Sequence, residues 1–153
     1  MKMIKVIVIV FLVVFIGYVL YLVIGMSSTY PAIKEYSLGV NKVSFEQKLS
    51  DRINSSNGWS LEKKDSIKGE DEVCYWASLF YKGNGQDLVY EIKYCLDIKA
   101  LSGDNACVRL EIVGAFDYNK KSGGYKLSDK DVDKLLEILD RTILKELASS
   151  CLR

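Results

Sequence analysis

Residues 73–98 read VCYWASLFYKGNGQDLVYEIKYCLDI, two aromatic-rich runs separated by Gly83-Asn84-Gly85-Gln86. Asn84-Gly85 suits a two-residue type I′ loop, which needs positive φ at both central positions, so the runs are expected to form an antiparallel hairpin. Residues whose numbers sum to 169 then face each other: Tyr75 with Tyr94, Ala77 with Ile92, Leu79 with Tyr90 and Tyr81 with Leu88, one continuous apolar face. The other face gathers Cys74 with Cys95, Trp76 with Lys93, Ser78 with Glu91 and Phe80 with Val89. A one-residue slip would turn one strand's side chains to the wrong side, so the coherent sorting supports this register.

The same rule bears on the four cysteines, Cys74, Cys95, Cys107 and Cys151. Counting back from Gly83 and Gln86 makes Cys74 and Cys95 a non-hydrogen-bonded pair, whose Cα separation of about 4.5 Å permits a disulfide. Cys74–Cys95 is therefore the expected bridge if the domain lies in an oxidising compartment. Cys107 and Cys151 are left to pair by default. Cys95–Cys107 is the rival bridge, because Cys107 faces away from the side that the last helix must cover. A metal held by Cys74, Cys95 and Cys107 is the weaker reading, since the chain has no His and no CxxC.

Outward from the hairpin, Glu35–Val40 alternates as a half-buried strand, and Ser44 with Gln47 forms a capping box for a helix over residues 45–54 that carries Phe45, Leu49 and Ile53 on one face. Residues 59–68 read as a short edge strand interrupted by the charge run Glu62–Asp65, and residues 99–105 as a loop. Residues 106–118 form a further strand, with Val108, Leu110, Ile112, Phe116 and Tyr118 expected in the core and Cys107, Arg109, Glu111 and Asp117 facing away. After a Lys/Ser/Gly loop over residues 119–125, Ser128 with Asp131 caps a helix running to about Ser149, with Asp129, Asp131 and Asp133 at its positive end. The expected fold is α+β, an antiparallel sheet of four to five strands in the order β-α-β-β-β-β-α, with both helices on one face.

Ahead of this domain, Ile4–Ile24 is an almost uninterrupted apolar run, without a charge from Val6 onward and long enough as a helix, about 28 Å, to span a bilayer. The run exceeds the apolar core of a signal peptide and no A-x-A site follows, so it reads as a retained signal anchor. Lys2 and Lys5 precede the span, which favours a cytoplasmic N-terminus and an extracytoplasmic domain, periplasmic or extracellular. Residues 1–26 are thus the anchor, 27–34 a short tether ended by Pro31, and 35–153 the domain. Lys2 and Lys5 fall in the anchor, so the remainder is close to neutral and has no electrostatic footprint for nucleic acid.

Function is expected from the sheet rather than from a catalytic motif. Without His there is no Ser-His or Cys-His dyad, and no glycine-rich stretch makes a phosphate loop, so neither a catalytic residue nor a cofactor is expected. The outer face offers Trp76, Phe80, Lys93, Arg109 and Glu91, the kinds of residue that anchor protein interfaces, unless Trp59 and Leu61 or the first helix cover it. The leading expectation is a membrane-anchored, non-enzymatic binding or accessory domain for a protein partner, in an envelope immunity, inhibitor or assembly role. Alternatives are a hydrolase using Glu91 and Glu111, or a structural membrane subunit acting through its span.

Overall fold

Strands β3 (Glu72–Gly83) and β4 (Gln86–Asp97) form the expected hairpin in a computed structural model that describes residues 15, 31–69, 71–97 and 107–147. Asn84 and Gly85 have φ of 49° and 73°, as a type I′ loop requires, and the pairing runs from Glu72 opposite Asp97 to Gly83 opposite Gln86, so every expected pair is present. The predicted span lies outside the described residues apart from Phe15, as do the tether up to Tyr30, the 99–105 loop and Cys151. Among the described residues no helix is long and apolar enough to cross a membrane.

The remaining elements of the sheet are β1 (Lys34–Leu38), β2 (Trp59–Lys68), β5 (Val108–Asp117) and β6 (Ser122–Gly124), with helices α1 (Lys42–Ser55) and α2 (Val132–Leu139). The result is an antiparallel α+β domain of order β-α-β-β-β-β-β-α, its strands arranged β1-β5-β4-β3-β2 with β6 also pairing β5. The sequence reading had one strand fewer because Ser122–Gly124 looked like loop. Gly123, at φ +108°, lies so close to β5 that an added Cβ would fall 2.1 Å from the Ala115 carbonyl oxygen, an approach only glycine permits.

Two bulges correct the expected faces. Glu91 pairs with Gly114 but Ile92 with Ile112, so Val113 is an extra residue in β5 and parity reverses beyond it. Ala115 and Asp117 therefore turn to the helix-covered side, at 0% and 2% exposure, whereas Phe116 faces outward and Tyr118 is exposed; the expected core roles of Phe116 and Tyr118 fail for this reason. In β2, Lys64 is the extra residue between Lys63, opposite Ala77, and Asp65, opposite Trp76. Trp59 and Leu61 thus join the core side while Asp65 and Ile67 share the outer face. The Glu62–Asp65 charge run belongs to a ten-residue strand, where charge guards an exposed edge against pairing with other chains.

The core lies between the sheet and the two helices. Phe45, Leu49 and Ile53 of α1, Val132, Leu135, Leu136 and Leu139 of α2, and Leu79, Tyr90, Ile92, Tyr94, Leu110 and Ile112 of the sheet form one buried cluster. The tyrosines keep their hydroxyls satisfied: Tyr90 donates to the Leu135 carbonyl at 2.8 Å and Tyr94 to Glu46 Oε1 at 2.6 Å.

Both helix starts differ from the sequence reading. Asn41 caps α1, its Oδ1 accepting the Ser44 N–H at 2.9 Å, so the helix begins before the Ser44/Gln47 box. Asp131, not Ser128, precedes the helix: it turns left-handed at φ 63° and its carboxylate accepts from Lys134 Nζ at 2.7 Å, and α2 begins at Val132 with Asp133 as the acidic residue of its first turn. Beyond Leu139 the chain widens into a π turn, Asp140–Leu144, in which the Lys145 N–H bonds the Asp140 carbonyl. The Thr142 carbonyl is taken by Arg52 of α1, from Nε at 2.9 Å and Nη2 at 2.8 Å.

Candidate functional site

The outer face is built by β2 to β5 in four rows. The Cys74–Cys95 disulfide forms with Cα atoms 4.1 Å apart, and Arg109 stands next to Cys95. Then follow Trp76, Lys93 and Glu111; Ser78, Glu91 and Gly114; and Phe80, Val89 and Phe116. All five residues expected at a partner surface therefore share one face. Its two ends differ chemically.

At the disulfide end the charges are paired. Glu111 accepts from Lys93 Nζ at 3.0 Å and from Arg109 Nε at 2.8 Å, while Arg109 Nη2 reaches Glu72 at 2.7 Å. Lys64, the bulged residue of β2, reaches Glu91 at 3.4 Å. Glu91 and Glu111 are thus both engaged by cations. Cys107 carries an exposed free thiol and the Cys95–Cys107 bridge does not form, whereas Cys151, the other partner expected for Cys107, lies outside the described residues. The physical reason is that Cys95 is already joined to Cys74, which leaves Cys107, immediately before β5, without that partner. Glu72, Cys74 and Cys95 bring ligand atoms within 4.8 Å of one another, yet sulfurs joined in a disulfide offer no thiolate to a metal.

At the other end the face is aromatic. Trp76, Phe80, Phe116 and Tyr125 are half-buried, Phe116 meeting Tyr125 edge-on at 5.1 Å. Cys74, Val89, Cys95 and Val113 are buried but stand apart from the main core, which marks a second apolar layer. Trp59 and Leu61 pack into the main core instead, Trp59 stacking on Tyr90 at 5.8 Å, and the apolar side of α1 is buried there too, so neither expected cover lies over this layer. Between Trp76 and Phe80, Ser78 is 0% exposed and its Oγ has no hydrogen-bond partner. No protein-family model matches the chain, and no curated protein or solved structure is similar to it.

A second locus was not legible in the sequence. Asp140, at the start of the π turn, accepts hydrogen bonds from Lys34 Nζ and Tyr36 Oη of β1. Tyr36 and Asp140 belong to a groove of about 390 Å³ lined also by Glu137, Arg141, Leu144 and Lys145. The partners are over a hundred residues apart, and no local pattern announces either the contact or the π turn.

The hydrogen bond to Asp140 holds the Lys34 ammonium above its ordinary range, and burial followed by the same carboxylate pushes the Tyr36 phenol up to about 12. Tyr90 and Tyr94 are raised as well, chiefly by burial. Folding favours the protonated form of each, so this stability is complete below the unfolded values of 10.0 and 10.5 and is lost as pH rises through the folded ones. The denaturant midpoint is expected to fall between pH 10 and about 12, less steeply in Tyr36→Phe. A midpoint that is level across that window contradicts the assignment.

Proposed function

We propose that this chain is a non-enzymatic binding or accessory protein, tethered by Ile4–Ile24 and holding its domain outside the cytoplasm, where the outer sheet face docks a protein partner. The observation that carries the reading is the apolar layer of the outer face, where half-buried Trp76, Phe80 and Phe116 surround buried Val89 and neither Trp59 and Leu61 nor the first helix covers them. An aromatic surface rimmed by charged residues is the kind of patch that marks a protein-interaction site, and this one closes over Ser78. Trp76, Phe80 and Phe116 around it are suited to central anchors, and the paired charges at the disulfide end to a rim. The Cys74–Cys95 disulfide is consistent with an oxidising compartment.

Affinity capture from detergent-solubilised membranes, comparing wild type with Trp76→Ala and Phe80→Ala, tests the docking face. Loss of an anchor costs about 2 kcal/mol, roughly a thirtyfold weaker complex. Unchanged recovery by folded variants refutes the outer face as the docking surface. Orientation has its own test, because the exposed Cys107 thiol in a Cys151→Ser background reacts with a membrane-impermeant maleimide in intact cells only if the domain lies outside the cytoplasm.

A further inference from the structure

We propose that the groove between β1 and the π turn binds a single-chain anionic amphiphile, a carboxylate or phosphate head on one acyl chain. The argument begins with charge. Asp140 is neutralised within the wall, one carboxylate oxygen accepting from Lys34 and the other from Tyr36, so it presents little negative potential to a ligand. Arg141 and Lys145 are exposed at the lining and make no salt bridge among the described residues, although Glu137 stands one helical turn before Arg141. Two cations four positions apart on one wall, against the single carboxylate of Glu137, leave the rim positive. An arginine and a lysine so placed offer a fork and a point charge to one anionic head.

The walls beneath that rim are apolar. Leu144 is buried, and the half-buried Tyr36 lines the groove together with Arg141 and Lys145, whose long stems are themselves apolar. A groove of about 390 Å³ lies at the small end of the usual range for small-molecule sites and has room for one acyl chain rather than two. The π turn is the second independent mark. Such turns concentrate at functional sites, and this one is held open by the Arg52 fork on the Thr142 carbonyl and by Thr142 Oγ1 donating to the Ile138 carbonyl at 2.6 Å. The supply of such a molecule rests on the membrane-anchor reading; its recognition does not, and neither depends on the outer sheet face.

The test uses the full chain reconstituted into phosphatidylcholine vesicles and a photoreactive dodecanoate, with adducts mapped by peptide mass. Adducts are expected on the peptides bearing Tyr36 and Arg141–Lys145, and Arg141→Ala/Lys145→Ala should cut their yield roughly tenfold, the loss of charged hydrogen bonds. Unlabelled dodecanoate should displace the probe, dodecanol about tenfold less well, and inorganic phosphate not at all. Equal competition by dodecanol removes the anionic head from the proposal. Equal competition by vesicles containing phosphatidylglycerol assigns the groove to two-chain lipid headgroups and overturns the single-chain ligand. Adducts spread over other peptides, or a yield unchanged in the double variant, overturn the site; the outer-face reading stands or falls separately on partner capture.

Discussion

Replacing Cys74 and Cys95 together by alanine should lower stability by about 3 kcal/mol and the melting temperature by roughly 10 °C. The bridge closes a loop across 21 positions of sequence, and restraining that loop removes conformations from the unfolded chain. Alanine is the cleaner replacement, because both cysteines are buried and serine would add unpaired hydroxyls at the same sites. Reducing the wild-type protein should reproduce most of the shift. Thermal unfolding of the oxidised, reduced and double-alanine forms makes the comparison; a change under about 1 kcal/mol in both treatments would show that the hairpin is already ordered in the unfolded ensemble.

Phe45→Ala should cost about 3–5 kcal/mol. Phe45 is the fully buried residue by which α1 enters the core, its ring centroid 5.2 Å from that of Tyr94. Truncation leaves a cavity beneath a sheet whose hydrogen bonds hold the surrounding backbone in place, so little collapse can refill it. Val43, two residues earlier and 73% exposed, is the matched control, where alanine should change stability by no more than about 0.5 kcal/mol. Urea midpoints of the two variants separate loss of core packing from any general effect of shortening a side chain in α1; similar midpoints would contradict the placement of Phe45.

The hairpin was legible because its information is local. Asn84-Gly85 sets the loop, the loop sets parity, and parity sorts the sixteen side chains of eight pairs and brings Cys74 to Cys95. Trp76, Phe80, Glu91 and Lys93 fell on one face for the same reason, and Arg109 joined them through the alternation of its own strand. Beyond Ile112 parity failed, since a bulge costs one residue and Val113 differs in no compositional way from a regular strand residue. Strand β2 was underrated because its charges looked like loop, when an edge strand is where charge is useful. The helix starts moved because the capping boxes read in the sequence were not used: Asn41 takes the Ser44 N–H, and Asp131 turns left-handed just before Val132. The Lys34–Tyr36–Asp140 cluster was out of reach altogether, as it depends on the first strand meeting the last helix.

A π turn is how a helix stores one extra residue while both flanks keep their inward register, and here Leu139 before it and Leu147 after it are both buried. The flanking core positions therefore keep their register without that residue, whereas Ile143 and Leu144 of the turn itself, and the wall formed by Arg141, Leu144 and Lys145, do depend on it. Such a groove can be gained or erased by a single-codon insertion or deletion that leaves the sheet untouched. Descendants of one ancestral domain can then share its architecture and its sheet surface while differing in whether they carry this groove at all.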